Sequence, residues 1–274
     1  MRWTNFIERV QIITAIFSCL LNILLTFLIL KKSPKQLGAY KYLMLYISWF
    51  EIAYSILDVI VSPIIYSKGA LYMIIVVTKV STLFSKHALL IIECIWTGFF
   101  GTSMGIFALQ FVYRYFVAVG SINLKYFKSY RIFLWMLIPV FFGAIWGTTC
   151  YFLVSPKTEI NDKMRNTILY VFGWNIEKDI TYIGPYFFER KPDGSIEIFY
   201  DSMIGVMILW AILTTSFIIT PYFAIKCYLK LRQGIEKKKS EISRRFGNLQ
   251  NQIFYALVSQ TIIPVILMHI PASL

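Results

Sequence analysis

The run from Val10 to Leu30 contains no Asp, Glu, Lys or Arg and stops sharply at Lys31 and Lys32. A helix rising about 1.5 Å per residue needs roughly 20 apolar residues to cross a bilayer, so this run is long enough to span. It is too long for the core of a cleaved leader and no small-x-small cleavage site follows it, so it reads as a retained anchor. Five more apolar segments follow. The expected spans are 10–30, 40–66, 88–119, 132–154, 202–229 and 251–274, with a long outer loop over 155–201 and a basic inner loop over 230–250. The stretch from Leu71 to Val77 is apolar but short, and reads as a re-entrant piece or as the last turn of the second helix after Pro63. Lipid offers no hydrogen-bond partner to an open backbone, so the spans are expected to be helices. The fold class is therefore an all-α membrane protein, a single helical bundle occupying the whole of 1–274.

Composition closes the alternatives. Apolar residues make up 58% of the chain and charged ones 15%, against about 25% charged in an ordinary soluble domain. Disorder is excluded by the 18% aromatic content. The net charge of +13 does not point to nucleic acid, because the basic residues flank spans. The loops after spans one, three and five carry a net +14, and the opposite side carries +2. Lys and Arg mark the cytoplasmic side, which puts the N-terminus outside. The cluster Lys237, Lys238, Lys239, Arg244, Arg245 suits an anionic lipid surface.

Catalytic and metal constellations are missing from the sequence. The two histidines, His87 and His269, cannot make a zinc site, and no H-E-x-x-H, C-x-x-C, G-x-S-x-G or phosphate-loop motif occurs. No enzyme activity, metal or cofactor is expected. Cys19, Cys94, Cys150 and Cys227 fall in or beside spans and read as buried thiols.

Polar residues inside spans carry the remaining information. Glu51 and Asp58 lie seven apart on one helix face and should point inward. Asn22 sits at a similar depth to Glu51, which suggests a structural Asn22–Glu51 hydrogen bond. Asp58, Glu93 and Trp96, the last two at i and i+3, are candidates for a polar or cationic ligand group; for Glu93 an interfacial residue pointing to water is the competing reading. Pro139, Pro221 and Pro264 fall within spans four to six, where neighbouring helices make proline tolerable, and Pro264 is the candidate hinge of the sixth. At the inner end of span three, Phe111-Val112-Tyr113-Arg114-Tyr115-Phe116-Val117-Ala118 sets an Arg among rings. Arg114 is either a snorkelling interfacial residue or a switch that exchanges partners when something binds from below.

Three stretches together resemble one family. Phe111 to Ala118 is similar to the F-x-Y-R-Y stretch of nematode serpentine chemoreceptors of the Str family and its close relatives. Gln250-Asn251-Gln252-Ile253-Phe254-Tyr255-Ala256-Leu257-Val258-Ser259-Gln260-Thr261-Ile262-Ile263-Pro264 resembles the sixth-helix signature of that family. Ser33 to Met44 is similar to its first inner loop. The resemblance implies a rhodopsin-like bundle of seven spans, of which six are expected here. It implies a small-molecule pocket in the outer half and a plasma-membrane chemosensory (olfactory-type) receptor in sensory neuron cilia, detecting an odorant or pheromone. A heterotrimeric G protein is then the inner partner, with Tyr113, Arg114 and Tyr115 at the coupling site. Tyr113 stands where rhodopsin-like receptors place an acid beside the Arg, so their Asp–Arg pair cannot form as such. Two other functions stand beside it: a truncated, non-signalling remnant of such a receptor, and a channel or transporter subunit. The last is disfavoured because no Lys or Arg lies deep in a span.

Overall fold

A computed structural model describes residues 2–33, 38–78, 84–120, 122–127, 130–191, 193–236 and 241–264. Seven α-helices dominate: α1 (Arg2–Lys32), α2 (Tyr40–Val61), α3 (Lys86–Val119), α4 (Arg131–Leu153), α5 (Thr158–Phe172), α6 (Tyr200–Glu236) and α7 (Glu241–Pro264). Five of them, α1 to α4 and α6, are long and apolar enough to cross a membrane. They match the first five expected spans. The sixth expected span begins within α7, and its continuation over 265–274 lies outside the described residues. So do the central Lys237, Lys238 and Lys239 of the basic inner loop.

The second span is shorter than expected. Its helix stops at Val61, because Ser62 turns left-handed (φ 43°) and donates its N–H back to the carbonyl of Asp58. Pro63 then disfavours a helical Ser62 and cannot continue the ladder. Beyond Pro63 the chain is extended: β1 (Ile64–Lys68) pairs antiparallel with β2 (Leu71–Val77), and β2 pairs antiparallel with β3 (Ile180–Ile183) from the long outer loop. The apolar run Leu71 to Val77 is thus a central strand, neither re-entrant nor a helical turn. Its near-continuous apolar character fits a strand covered on both sides. Two shorter strands, β4 (Phe188–Arg190) and β5 (Ile196–Ile198), form a hairpin beside it. The bundle is all-helical, and the strands belong to the loops at one end of it, the end expected from loop charge to be the outer one.

One cluster of apolar side chains glues the sheet to α5, with Met73, Ile75, Ile160, Ile168, Ile176, Ile180 and Tyr182 almost wholly buried. On the other side Ile183 packs with Cys94, Trp146, Cys150 and Ile212 from α3, α4 and α6. The sheet is therefore a lid seated on the outer end of the bundle. Gly184 permits that seating, since a Cβ there would meet the carbonyl of Tyr72 and lie 2.9 Å from Met73 Cα. The cysteines are all free thiols, so strand pairing and packing hold the lid.

Helix α3 is the most buried span and packs chiefly against α4 and α6. Ser85 caps its start, accepting from the N–H of Ala88 (3.2 Å), and Gly120 (φ 65°) ends it. Close approach of α3 and α4 depends on small residues: a Cβ on Gly98 would stand 2.8 Å from the carbonyl oxygen of Gly143, and one on Gly147 2.8 Å from that of Cys94. Helix α1 packs against α2 and exposes Phe17, Leu20, Leu21, Ile23 and Leu24, as a lipid-facing helix does.

Gly147→Val should force α3 and α4 apart and cost about 1–3 kcal/mol, as overpacking does elsewhere; an unchanged thermal midpoint in nanodiscs would contradict this packing. The lid adds a pH effect. Lys163 lies 2.6 Å from both Glu189 and Glu197. Its bond holds the Glu197 carboxyl below its ordinary value. Desolvation alone would lower the Lys163 ammonium, but its bonds to Glu189 and Glu197 outweigh this and raise it. The stabilisation is therefore present above about pH 4.5, the free value of Glu197, and is lost as pH falls through the lower folded one. Amide exchange in the β4–β5 hairpin, corrected for intrinsic rate, should speed up on acidification, and Lys163→Met should flatten that response.

Candidate functional site

At the end of the bundle away from the lid, expected to be the inner one, the side chain of Arg114 is buried, with 3% exposure. It does not snorkel to water. One terminal nitrogen donates to Gln250 Oε1 on α7 at 2.8 Å, and the guanidinium carbon lies 3.4 Å from the centroid of the Tyr40 ring on α2. Tyr40 in turn stacks on Tyr113 (5.7 Å, 16°), Tyr113 meets Phe127 edge-on (5.2 Å), and Phe127 stacks on Trp135 (4.7 Å). Tyr115 points elsewhere and packs on Phe223 of α6 (5.4 Å). Arg114 makes no ion pair among the described residues, and its Nε and second terminal nitrogen are buried without hydrogen-bond partners. A planar cation on an aromatic face is favourable where water is excluded, yet two buried donors are left unmet. Such a group gains by accepting new partners if α7 moves.

Gln250 and Tyr40 do not stand out from the sequence as site residues. Both lie within stretches that resemble the family, Gln250 at the head of one and Tyr40 within another. The signal is present as sequence likeness, but only packing shows that the three stretches meet around one guanidinium.

In the outer half, α2 and α3 bring Asp58 and Trp96 together: the indole Nε1–H donates to Asp58 Oδ1 at 3.1 Å. Tyr54 lies against Trp96 (6.3 Å) and Phe99 (5.8 Å), and Phe50 stacks on Phe99 (5.1 Å). The result is a half-buried carboxyl at the end of an aromatic wall. Glu93 does not join it. Its side chain is fully buried against the backbone of Ile183 in β3, and neither carboxyl oxygen makes a hydrogen bond of ordinary geometry. The interfacial reading of Glu93 is corrected by the lid, which shuts out the water it was expected to reach.

The expected Asn22–Glu51 bond is also replaced. Asn22 Nδ2 donates to the carbonyl of Ser18 on its own helix (3.0 Å), as mid-helix Asn side chains often do. Polar links between α1 and α2 run instead from Ser55 to Ser18 (2.7 Å) and from Ser62 to Gln11 (2.8 Å). Pro264 is the last described residue of α7, so the hinge expectation reaches the edge of the described residues. Among the described residues no cluster of His, Cys, Asp and Glu could hold a metal ion.

Comparison with known proteins bears directly on these stretches. The family model for the serpentine type 7TM GPCR chemoreceptor Str matches residues 7–274. G-protein coupled receptor str-217 of Caenorhabditis elegans is 30% identical over 269 residues, covering 98% of this chain and 76% of that protein. Serpentine receptor class r-10 of the same organism is 28% identical over 275 residues, covering 99% and 77%. Serpentine receptor class J-38, also of Caenorhabditis elegans, is 23% identical over 270 residues, covering 96% and 76%. No solved structure matches the chain.

Trp96→Phe keeps the aromatic wall and removes the bond to Asp58, and should cost about 1 kcal/mol of stability. Asp58→Asn, which retains an acceptor, should cost less. Thermal unfolding of the two variants side by side checks the order.

Proposed function

Because the chain belongs to the Str family of serpentine 7TM G-protein-coupled chemoreceptors, we propose that it detects a small-molecule odorant or pheromone at its outer half and reports it to a heterotrimeric G protein at its inner end. The receptor sits in the plasma membrane of a sensory neuron cilium with its N-terminus outside. The charge asymmetry of the loops supports that orientation. The ligand site lies around Asp58 and Trp96, where a polar or cationic group finds a carboxyl beside an aromatic wall, while Glu93 lies dry under the lid and supports the site from beneath it. Glu51 and Asn22 serve structure, in the α1–α2 pair.

The observation that carries the reading is the Arg114 cage. Arg114 is held by Tyr40 from α2 and Gln250 from α7, and it retains unmet donors. Losing the Gln250 bond lowers the cost of moving α7 outward and frees Arg114 to meet a partner that enters from below, with Tyr113 and Tyr115 flanking it on α3. This is a two-state element with differential contacts, which any coupled switch requires. No acid is needed for it: a neutral amide closes the resting state, and a neutral partner is released at lower cost than a carboxylate.

Membranes holding the chain are assayed for nucleotide exchange on added G protein. Gln250→Leu should raise basal exchange by up to about tenfold, the worth of one charge-assisted hydrogen bond, and Arg114→Ala should bring it to background. Normal exchange by folded Arg114→Ala would remove the coupling role. A folded wild-type chain that drives no exchange, with or without Gln250→Leu, would favour the non-signalling remnant.

A further inference from the structure

In the β4–β5 hairpin the charged and apolar faces are reversed relative to a loop that faces water. Phe188 pairs with Ile198, Glu189 with Glu197 and Arg190 with Ile196, so successive pairs point to opposite faces. Glu189 and Glu197 turn inward, each 2.6 Å from Lys163 of α5. Phe199 turns the same way, with the Lys163 ammonium 4.8 Å from its ring centroid and Tyr186 stacked on it at 4.9 Å. The outward face holds Phe188, Ile196 and Ile198, each between 42% and 55% exposed, together with exposed Arg190. None of these four side chains makes an ion pair or a ring contact among the described residues. A hairpin seated on a protein in water shows the opposite pattern, apolar inward and charged outward. The hairpin also runs into α6 without a linker. Phe199 donates its N–H to the carbonyl of Phe187 (3.0 Å) and accepts from the N–H of Met203 (3.2 Å) in the first turn of the helix. Helix α6 is long and apolar enough to span. It exposes Tyr200, Met203, Ile204 and Met207 at the i, i+3, i+4, i+7 spacing of one face. The face that α6 offers to lipid therefore begins two residues after Ile198.

We propose that the outward face of the β4–β5 hairpin is an interfacial anchor, set among the phospholipid headgroups and upper acyl chains of the leaflet on the lid side. Phe188, Ile196 and Ile198 enter the apolar zone, Arg190 reaches a lipid phosphate, and Tyr200 takes the interfacial position that aromatic rings favour. Charge selects lipid over a second copy of the chain. The same face of a second copy brings another Arg190 and no acid, which leaves two guanidinium groups desolvated without a countercharge. Three apolar side chains also fall far short of the roughly 800 Å² per partner that a stable protein interface buries. Lipid phosphate supplies the missing countercharge, and the bilayer is at this level because α6 enters it there. The anchor reaches the lid. Lys163 ties the hairpin to α5, and α5 shares its buried cluster with β2 and β3. The lid is thereby held from two sides, by the bundle through Ile183 and by the membrane through the hairpin. This role requires only that α6 spans, and it holds whether or not the chain signals.

The full chain, one copy per phosphatidylcholine nanodisc, is labelled with bimane at Ile196→Cys or, as a water-facing reference on α5, at Asn166→Cys. The unsubstituted chain treated alike gives the background from its native thiols. Phospholipid carrying a nitroxide at the top of its acyl chain should quench the label at 196 several-fold more than the label at 166, and iodide in the water should quench the two in the opposite order. Phe188→Ser combined with Ile198→Ser should bring the label at 196 to the level of 166. Arg190→Glu, which sets an acid among phosphates, should lower lipid quenching at 196, whereas Arg190→Lys should keep it. The proposal fails if the labels at 196 and 166 are quenched alike, or if the double serine variant leaves quenching unchanged. It fails too if 196 escapes iodide only in discs that hold two chains, which would assign the face to a second copy. The comparison of 196 with 166 leaves Phe188, Arg190 and Ile198 in place, and stands by itself should the double serine variant not fold.

Discussion

A guanidinium buried to 3% exposure with no carboxylate partner among the described residues is the constraint around which the inner half is arranged. Burying a charge is expensive unless something replaces its water. Here the replacement is assembled from four helices and the segment joining α3 to α4: the Tyr40 face from α2, the Gln250 amide from α7, and the stack of Tyr113, Phe127 and Trp135 that keeps Tyr40 in place. Each contributor is weak alone. Together they hold α2, α3 and α7 in one arrangement while leaving two donors unmet, so the arrangement is stable without being saturated. The switch proposed for Arg114 relies on that balance, since a fully satisfied network would have no reason to exchange partners.

The outer half is organised differently. No cysteine lies in the long outer loop, and order comes from β2 pairing on one side with its neighbour β1 and on the other with β3, some hundred residues later. That pairing welds the loop between α2 and α3 to the loop between α4 and α6. Ile183 then plugs the sheet into the bundle beside Cys94, Cys150 and Ile212. The lid explains why Glu93 is dry. Central α3 serves both halves, and its glycines let α4 approach to backbone contact where a larger side chain would hold it off.

How much of this is legible in the sequence depends on the range of the interaction concerned. Val10–Leu30 and the other spans follow from hydropathy, because a bilayer judges each segment almost independently of the rest. The end of α2 differs from expectation by a few residues, since Ser62 and Pro63 stop the helix inside an apolar run. Leu71–Val77 misleads because a seven-residue apolar segment carries no period that separates a covered strand from a buried helix, and its partners β1 and β3 are set by pairing. Helix α5, with one apolar face and one charged face, reads as loop when only span-length hydropathy is sought. Asp58 and Trp96 are separate candidates in the sequence and are bonded in the fold. Glu93 joins them by i, i+3 spacing, yet the helix turns it toward β3.

By itself the sequence determined the membrane class, the five helices long and apolar enough to span and the family, all of which rest on local hydropathy and short motifs. Only the tertiary structure decided that the loops close into a lid, that Asn22 bonds its own helix, and that Arg114 is caged by Tyr40 and Gln250. The reason is geometric. These groups lie 74 and 136 residues from Arg114 along the chain, and a chain's local preferences say nothing about which distant side chains will share one buried space. Packing of α2, α3 and α7 supplies that information, and the uncompensated charge between them gives it a consequence.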